Sequence, residues 1–82
     1  MTRMQLLILK AALTATASMT PITRVALAQR LRTEKFSQLG YADCFDELYS
    51  LGYLEHDFIA SDRSQHYKVT DLGRRALLAY YA

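Results

Sequence analysis

The residues of this chain that are able to do chemistry are few, and their spacing narrows what they do. One cysteine, Cys44, and two histidines, His56 and His66, are the only thiol and imidazole groups in 82 residues. They do not fall in the close pairs that a zinc site uses. No glycine-rich phosphate loop and no nucleophile–base pattern accompanies them. An enzyme is therefore not expected, and neither a metal nor another cofactor is. Cys44 stands beside Asp43, whose charge opposes thiolate formation, so it reads as a small apolar core residue rather than a redox sensor. A single cysteine cannot form an internal disulfide, and a reducing, cytoplasmic setting is expected.

Charge carries more information. Residues 1–35 hold six basic side chains and one acidic, net +5, whereas residues 36–82 hold four basic and seven acidic, net −3. From Tyr41 to Asp62 there are six acids and no Lys or Arg. Two surfaces with different electrostatic roles are implied. Arg24, Arg30, Arg32 and Lys35 cluster around one short segment, and Arg63 and Lys68 lie farther on, where His66 joins them if protonated. The stretch YADCFDELYSLG, by contrast, offers Asp43, Asp46 and Glu47 with no cation.

These side chains need elements to hold them. Leu6, Leu9 and Leu13 form a helical stripe over roughly Met4 to Thr16, and Leu7, Ile8, Ala11 and Ala12 add a second apolar surface. A helix apolar nearly all round is buried on more than one side. In so small a chain the second burial is expected to be another subunit, through Leu7, Ile8 and Ala11 together with Leu78 and Tyr81 near the C-terminus. The same N-terminal run imitates a signal peptide, but Gln5 and Lys10 interrupt it, and it is far short of the roughly 20 apolar residues that span a bilayer. It reads as a retained structural helix.

A second helix follows Pro21, capped by Thr23 and buried through Val25, Leu27, Ala28 and Leu31. A third, over residues 37–51, keeps Tyr41, Cys44 or Phe45, Leu48 and Leu51 on one side and stops at Gly52. Residues 53–70 alternate as a hairpin. With SDRS (61–64) as its loop, Ile59 faces His66, Phe58 faces Tyr67 and Asp57 pairs with Lys68. Leu54, Phe58, Tyr67 and Val69 then point inward, with His56 on the same side as a core-edge residue. A last helix starts at Thr70 and is buried through Leu72, Ala76, Leu77 and Tyr80. Gly73 lies where its first turn meets the hairpin. The fold expected is mainly α with a small β-hairpin, in one domain spanning 1–82.

The run LYSLGYLEHDFIASDRSQHYKVTDLGRRAL resembles the second half of a winged helix-turn-helix domain, most similar to the MarR and PadR groups of bacterial transcription regulators. The matching pieces are Leu48, Gly52-Tyr53-Leu54, Asp62-Arg63 and Val69-Thr70-Asp71-Leu72-Gly73, and VALAQRL resembles the first helix of the helix-turn-helix. The resemblance covers about residues 23 to 78. It implies a small, dimeric DNA-binding regulator with helix 37–51 in the major groove and the wing 53–70 on the minor groove or backbone. Arg63 at the hairpin tip, restrained by Asp62, suits a narrow minor groove. Ser37, Gln38, Tyr41 and Asp43 would face base edges and phosphates at the helix start, and Arg24, Arg32, Lys35, His66 and Lys68 would supply positive charge. The competing expectation is a winged helix that docks a basic protein through the acidic surface Asp43–Asp62.

Overall fold

A computed structural model of the chain describes residues 1–32 and 40–81. Four helices and one hairpin follow in the order α1 (Arg3–Ala17), α2 (Arg24–Arg32), α3 (Tyr41–Ser50), β1 (Leu54–Ile59), β2 (Gln65–Val69) and α4 (Asp71–Tyr81). The architecture is mainly helical with a two-stranded antiparallel sheet.

α1 starts on a capping box. The Thr2 hydroxyl accepts from the Gln5 N–H at 3.1 Å, and the Gln5 side chain accepts from the Thr2 N–H at 3.0 Å. Two otherwise unpaired donors are thereby satisfied. The helix then packs against α2, α3, α4 and β2. Ile8, Leu9 and Ala12 are fully enclosed, and Leu6, Ala11 and Ala15 are buried with them. The second apolar surface of α1 is thus covered by the chain's own elements. Ile8 and Ala11, expected at a subunit contact, are core residues and have no surface to offer one. Leu7 is half-buried, whereas Leu78 and Tyr81 are exposed.

α3 places Tyr41, Phe45 and Leu48 in the core. It begins at Tyr41, directly after Gly40, which is left-handed with φ +81°; residues 37–39 of the expected helix lie outside the described residues. At its other end Gly52 has φ +80°. The Gly52 N–H donates to the Tyr49 carbonyl at 3.1 Å, and the Tyr53 N–H to the Leu48 carbonyl at 2.9 Å. This pair of bonds satisfies the last carbonyls and turns the chain into β1.

The hairpin differs from the expected register. Leu54 pairs with Val69, Glu55 with Lys68, and His56 with Tyr67, but beyond a bulge at Asp57, Phe58 pairs with His66 and Ile59 with Gln65. The extra residue moves Phe58 to the outer face, where it is half exposed, and leaves Leu54 and Tyr67 as the hairpin's buried contacts. The cross-strand ion pair is Glu55–Lys68 at 3.5 Å, not Asp57–Lys68. The loop itself is Ser61–Arg63. The Ala60 N–H donates to the Ser64 carbonyl and the Arg63 N–H to the Ala60 carbonyl, both at 2.9 Å. The Tyr67 N–H donates to the Ile22 carbonyl at 2.9 Å, which ties the segment before α2 to β2.

Thr70 caps α4, accepting from the Gly73 N–H at 3.0 Å while its own N–H donates to Tyr53 at 3.1 Å. Gly73 and Leu77 are buried and Ala76 is half-buried, but Leu72 and Tyr80, expected in the same stripe, are exposed at the two ends of the helix. A Cβ on Gly73 would press far inside van der Waals contact with the Tyr53 carbonyl. Gly73→Ala is expected to cost about 2 kcal/mol or more, since backbone must shift, and urea unfolding will read this as a lowered midpoint.

Candidate nucleic-acid interface

Arg24 opens α2 one residue after Thr23, whose hydroxyl accepts from the Ala26 N–H at 3.1 Å and caps the helix. Its guanidinium lies over the Phe45 ring, 4.7 Å from the centroid, and pairs with Asp46. Its carbonyl accepts from the Tyr41 hydroxyl at 2.8 Å. Both ends of Arg24 are thus held by α3. Tyr41, expected to face DNA, is a core residue tied inward to α2. Burial pushes its phenol up to about 12, although the nearby Arg24 charge works the other way.

The acids of α3 divide into different roles. Asp46 holds Arg24, and Glu47 accepts from the side chain of Gln5, the one buried polar residue among the described residues. Nothing in the spacing of the sequence announced the Gln5–Glu47 contact, which joins residues 42 apart in the chain. Asp43 is exposed and lines a shallow groove of about 510 Å³ with Asp46, Glu47, Ser50 and Leu51. Cys44 is half-buried, and burial, then Glu47 and Asp43, raise its thiol despite a bond to Thr2, so the thiolate is disfavoured.

On the hairpin, Arg63 occupies the left-handed region with φ +69°. A non-glycine residue there costs about 1 kcal/mol. It is the third residue of a tight loop in which glycine is the usual occupant of this position. Asp62 does not restrain Arg63. Its Oδ1 accepts from the Ser64 N–H at 3.0 Å and from the Ser64 hydroxyl at 2.6 Å, and those bonds hold its carboxyl below the usual range. Lys68 is paired with Glu55, and His66 lies flat on Phe58.

An open groove of about 840 Å³ separates the hairpin from the start of α2. Arg24, Val25 and Gln29 line one wall, and Ser61, Gln65 and His66 the other. Arg24 and His66 are therefore brought together, whereas Asp43 lines the separate acidic groove on α3. Arg32 is exposed at the far end of α2. Lys35, Ser37 and Gln38 lie outside the described residues. Among the described residues no cluster of His, Cys, Asp and Glu is suited to a metal ion, and no helix is long and apolar enough to cross a membrane.

No protein-family model, no curated protein and no solved structure matches the chain.

Because folding favours the neutral phenol of Tyr41, its contribution is complete below the ordinary tyrosine range and is lost as pH rises toward its folded value. The melting temperature is expected to fall between about pH 10 and about pH 12. Tyr41→Phe should flatten that fall while costing about 1 kcal/mol at neutral pH through the lost bond to Arg24. Thermal melts of both proteins across that range give the comparison.

Proposed function

We propose that the chain is a small double-stranded-DNA-binding regulator of the winged helix-turn-helix type, acting in the cytoplasm as a homodimer. The observation that carries this reading is the hairpin. From Glu55 to Ile59 every residue of β1 is exposed, so the outer part of the hairpin adds little to the core. Its tip nevertheless holds an arginine in a backbone conformation that glycine would fill at lower cost. A projecting hairpin with a costly cation at its end fits insertion into a groove of negative potential.

In this reading α3 is a weak base reader. Asp46 and Glu47 are engaged with Arg24 and Gln5, and Asp43 is the acid left facing outward. Phosphate contacts come chiefly from Arg63, from Arg24 and His66 along the α2–hairpin groove, and from Arg32, Lys35, Ser37 and Gln38 around the α2–α3 connection. The dimer contact is carried by Leu78 and Tyr81, both about 60% exposed on α4, with half-buried Leu7 beside Lys10, whose ammonium lies 5.9 Å from the Tyr81 ring centroid.

A second reading has its own support. The α3 groove is lined by Asp43, Asp46 and Glu47, of which Asp46 is already paired with Arg24 and Glu47 with Gln5, and it ends on half-exposed Leu51, a surface suited to a basic, partly apolar protein segment chiefly through Asp43.

Arg63→Gly separates function from folding. Relief of the left-handed strain should raise stability by about 0.5–1 kcal/mol. The same change should weaken duplex binding in a mobility shift and make the dependence of log K on log salt shallower by about one per monomer. Duplex binding that ignores Arg63, together with loss of a protein partner on combined Asp43→Ala and Asp46→Ala substitution, would transfer the function to the acidic groove.

The dimer has a separate test. Leu78→Glu with Tyr81→Ser is expected to shift sedimentation to the 9.4 kDa single chain, which should still unfold cooperatively because neither side chain belongs to the core.

A further inference from the structure

The chain's two histidines both lie in the hairpin, one on each face, and each lies against an aromatic ring. His56 stacks on Tyr67 with centroids 4.8 Å apart and rings 28° from parallel, and Tyr49 of α3 meets its edge at 5.2 Å. His66 stacks on Phe58 at 4.4 Å and 17°. A cationic imidazole gains from such contacts, since the ring face is negative.

The hydrogen bonds around His66 define which nitrogen is vacant. Its Nε2 is 3.2 Å from the Ser64 hydroxyl oxygen. The single hydroxyl proton of Ser64 is committed to Asp62 Oδ1 at 2.6 Å, and an ionised carboxylate only accepts. Nε2 must therefore carry the proton it shares with Ser64, and Nδ1 is the nitrogen left to take up another. Protonation at Nδ1 leaves the chain His66–Ser64–Asp62 intact.

The fixed charges nearby are close to balance. Asp62 reaches His66 through Ser64, Asp57 and Lys68 line a groove with it, and Arg24 of α2 stands across the larger groove. From Leu54 to Val69 the hairpin holds Glu55, Asp57 and Asp62 against Arg63 and Lys68, a net charge of −1 with neutral imidazoles and +1 with both protonated. Imidazole is the side chain whose charge ordinarily changes between about pH 5 and 8. The bonds from Ser64 keep Asp62 ionised over that interval.

We infer that the hairpin is an acid-responsive phosphate contact in which His56 and His66 reverse its net charge and so switch its grip on DNA. This rests on the DNA-binding reading above. At neutral pH Arg63 works against a net negative hairpin. On acidification the same surface becomes attractive along both faces, with the new charges braced by Tyr67 and Phe58.

The test is duplex affinity at pH 5.5 and pH 8.0, over a range of salt, for wild type, His66→Gln and the double variant His56→Gln/His66→Gln. Wild type should bind on the order of tenfold tighter at the lower pH, with a salt dependence steeper by about one for each histidine that joins. The single variant should keep about half of that steepening, and the double variant should lose the pH response. A pH response surviving in the double variant overturns the inference, as does a wild type that binds DNA through Arg63 equally at both pH values. Absence of duplex binding at every pH overturns the DNA reading and this inference with it. In the free protein, ¹⁵N chemical shifts at pH 8.0 should show His66 as the Nε2–H tautomer, and the opposite tautomer counts against the relay whatever DNA does.

Discussion

In a chain this short only one helix can be enclosed, and the rest of the structure depends on that helix being α1. α2, α3, α4 and β2 all rest on it, and Ile8, Leu9 and Ala12 have no exposed surface. Each fully buried aliphatic side chain contributes about 1.5–3 kcal/mol, so a single central helix supplies much of the favourable burial. The small residues Ala11, Ala12 and Ala15 matter as much as the large ones, because they let neighbouring elements approach the axis closely. With α1 saturated, surface left for partners must come from elements at the periphery: α4, the exposed side of α3 and the hairpin.

The same economy explains the acidic helix. α3 has to be fastened to both α1 and α2, and two of its carboxylates do so. Glu47 meets Gln5, a residue that also closes the α1 capping box, so the start of α1 and the middle of α3 are linked through one side chain. Asp46 meets Arg24, whose guanidinium covers Phe45. An exposed ion pair of this kind contributes little on its own, about 0–1 kcal/mol, but the stacked guanidinium also shields apolar ring surface. Negative charge on α3 is therefore in part structural, and it lessens the conflict with a nucleic-acid partner without removing it at Asp43.

The hairpin follows a different rule. Its root is anchored by Leu54, Tyr67, the Ile22–Tyr67 bond and the contact of Gly73 with Tyr53, and its outer half is free of the core. The bulge at Asp57 divides these two parts. Beyond it the alternation is reset, Phe58 turns to the outer face against His66, and the loop tightens until Arg63 must adopt a left-handed backbone.

The sequence by itself determined the order of elements and several of their ends. Thr23 and Thr70 as caps, Gly52 as a helix stop and Gly73 as a point of close approach act through backbone groups a few residues away or through one forced contact, and such signals are readable locally. The alternation from Leu54 to Val69 likewise announced a hairpin. Its register was not readable, because a bulge depends on how both strands meet the core. That Ile8 and Ala11 face the chain's own elements, that Tyr41 bonds Arg24, and that Gln5 meets Glu47 were decided only by tertiary structure. An apolar or polar side chain declares that it needs a partner, but which partner it finds depends on segments tens of residues away, brought together by the packing around α1.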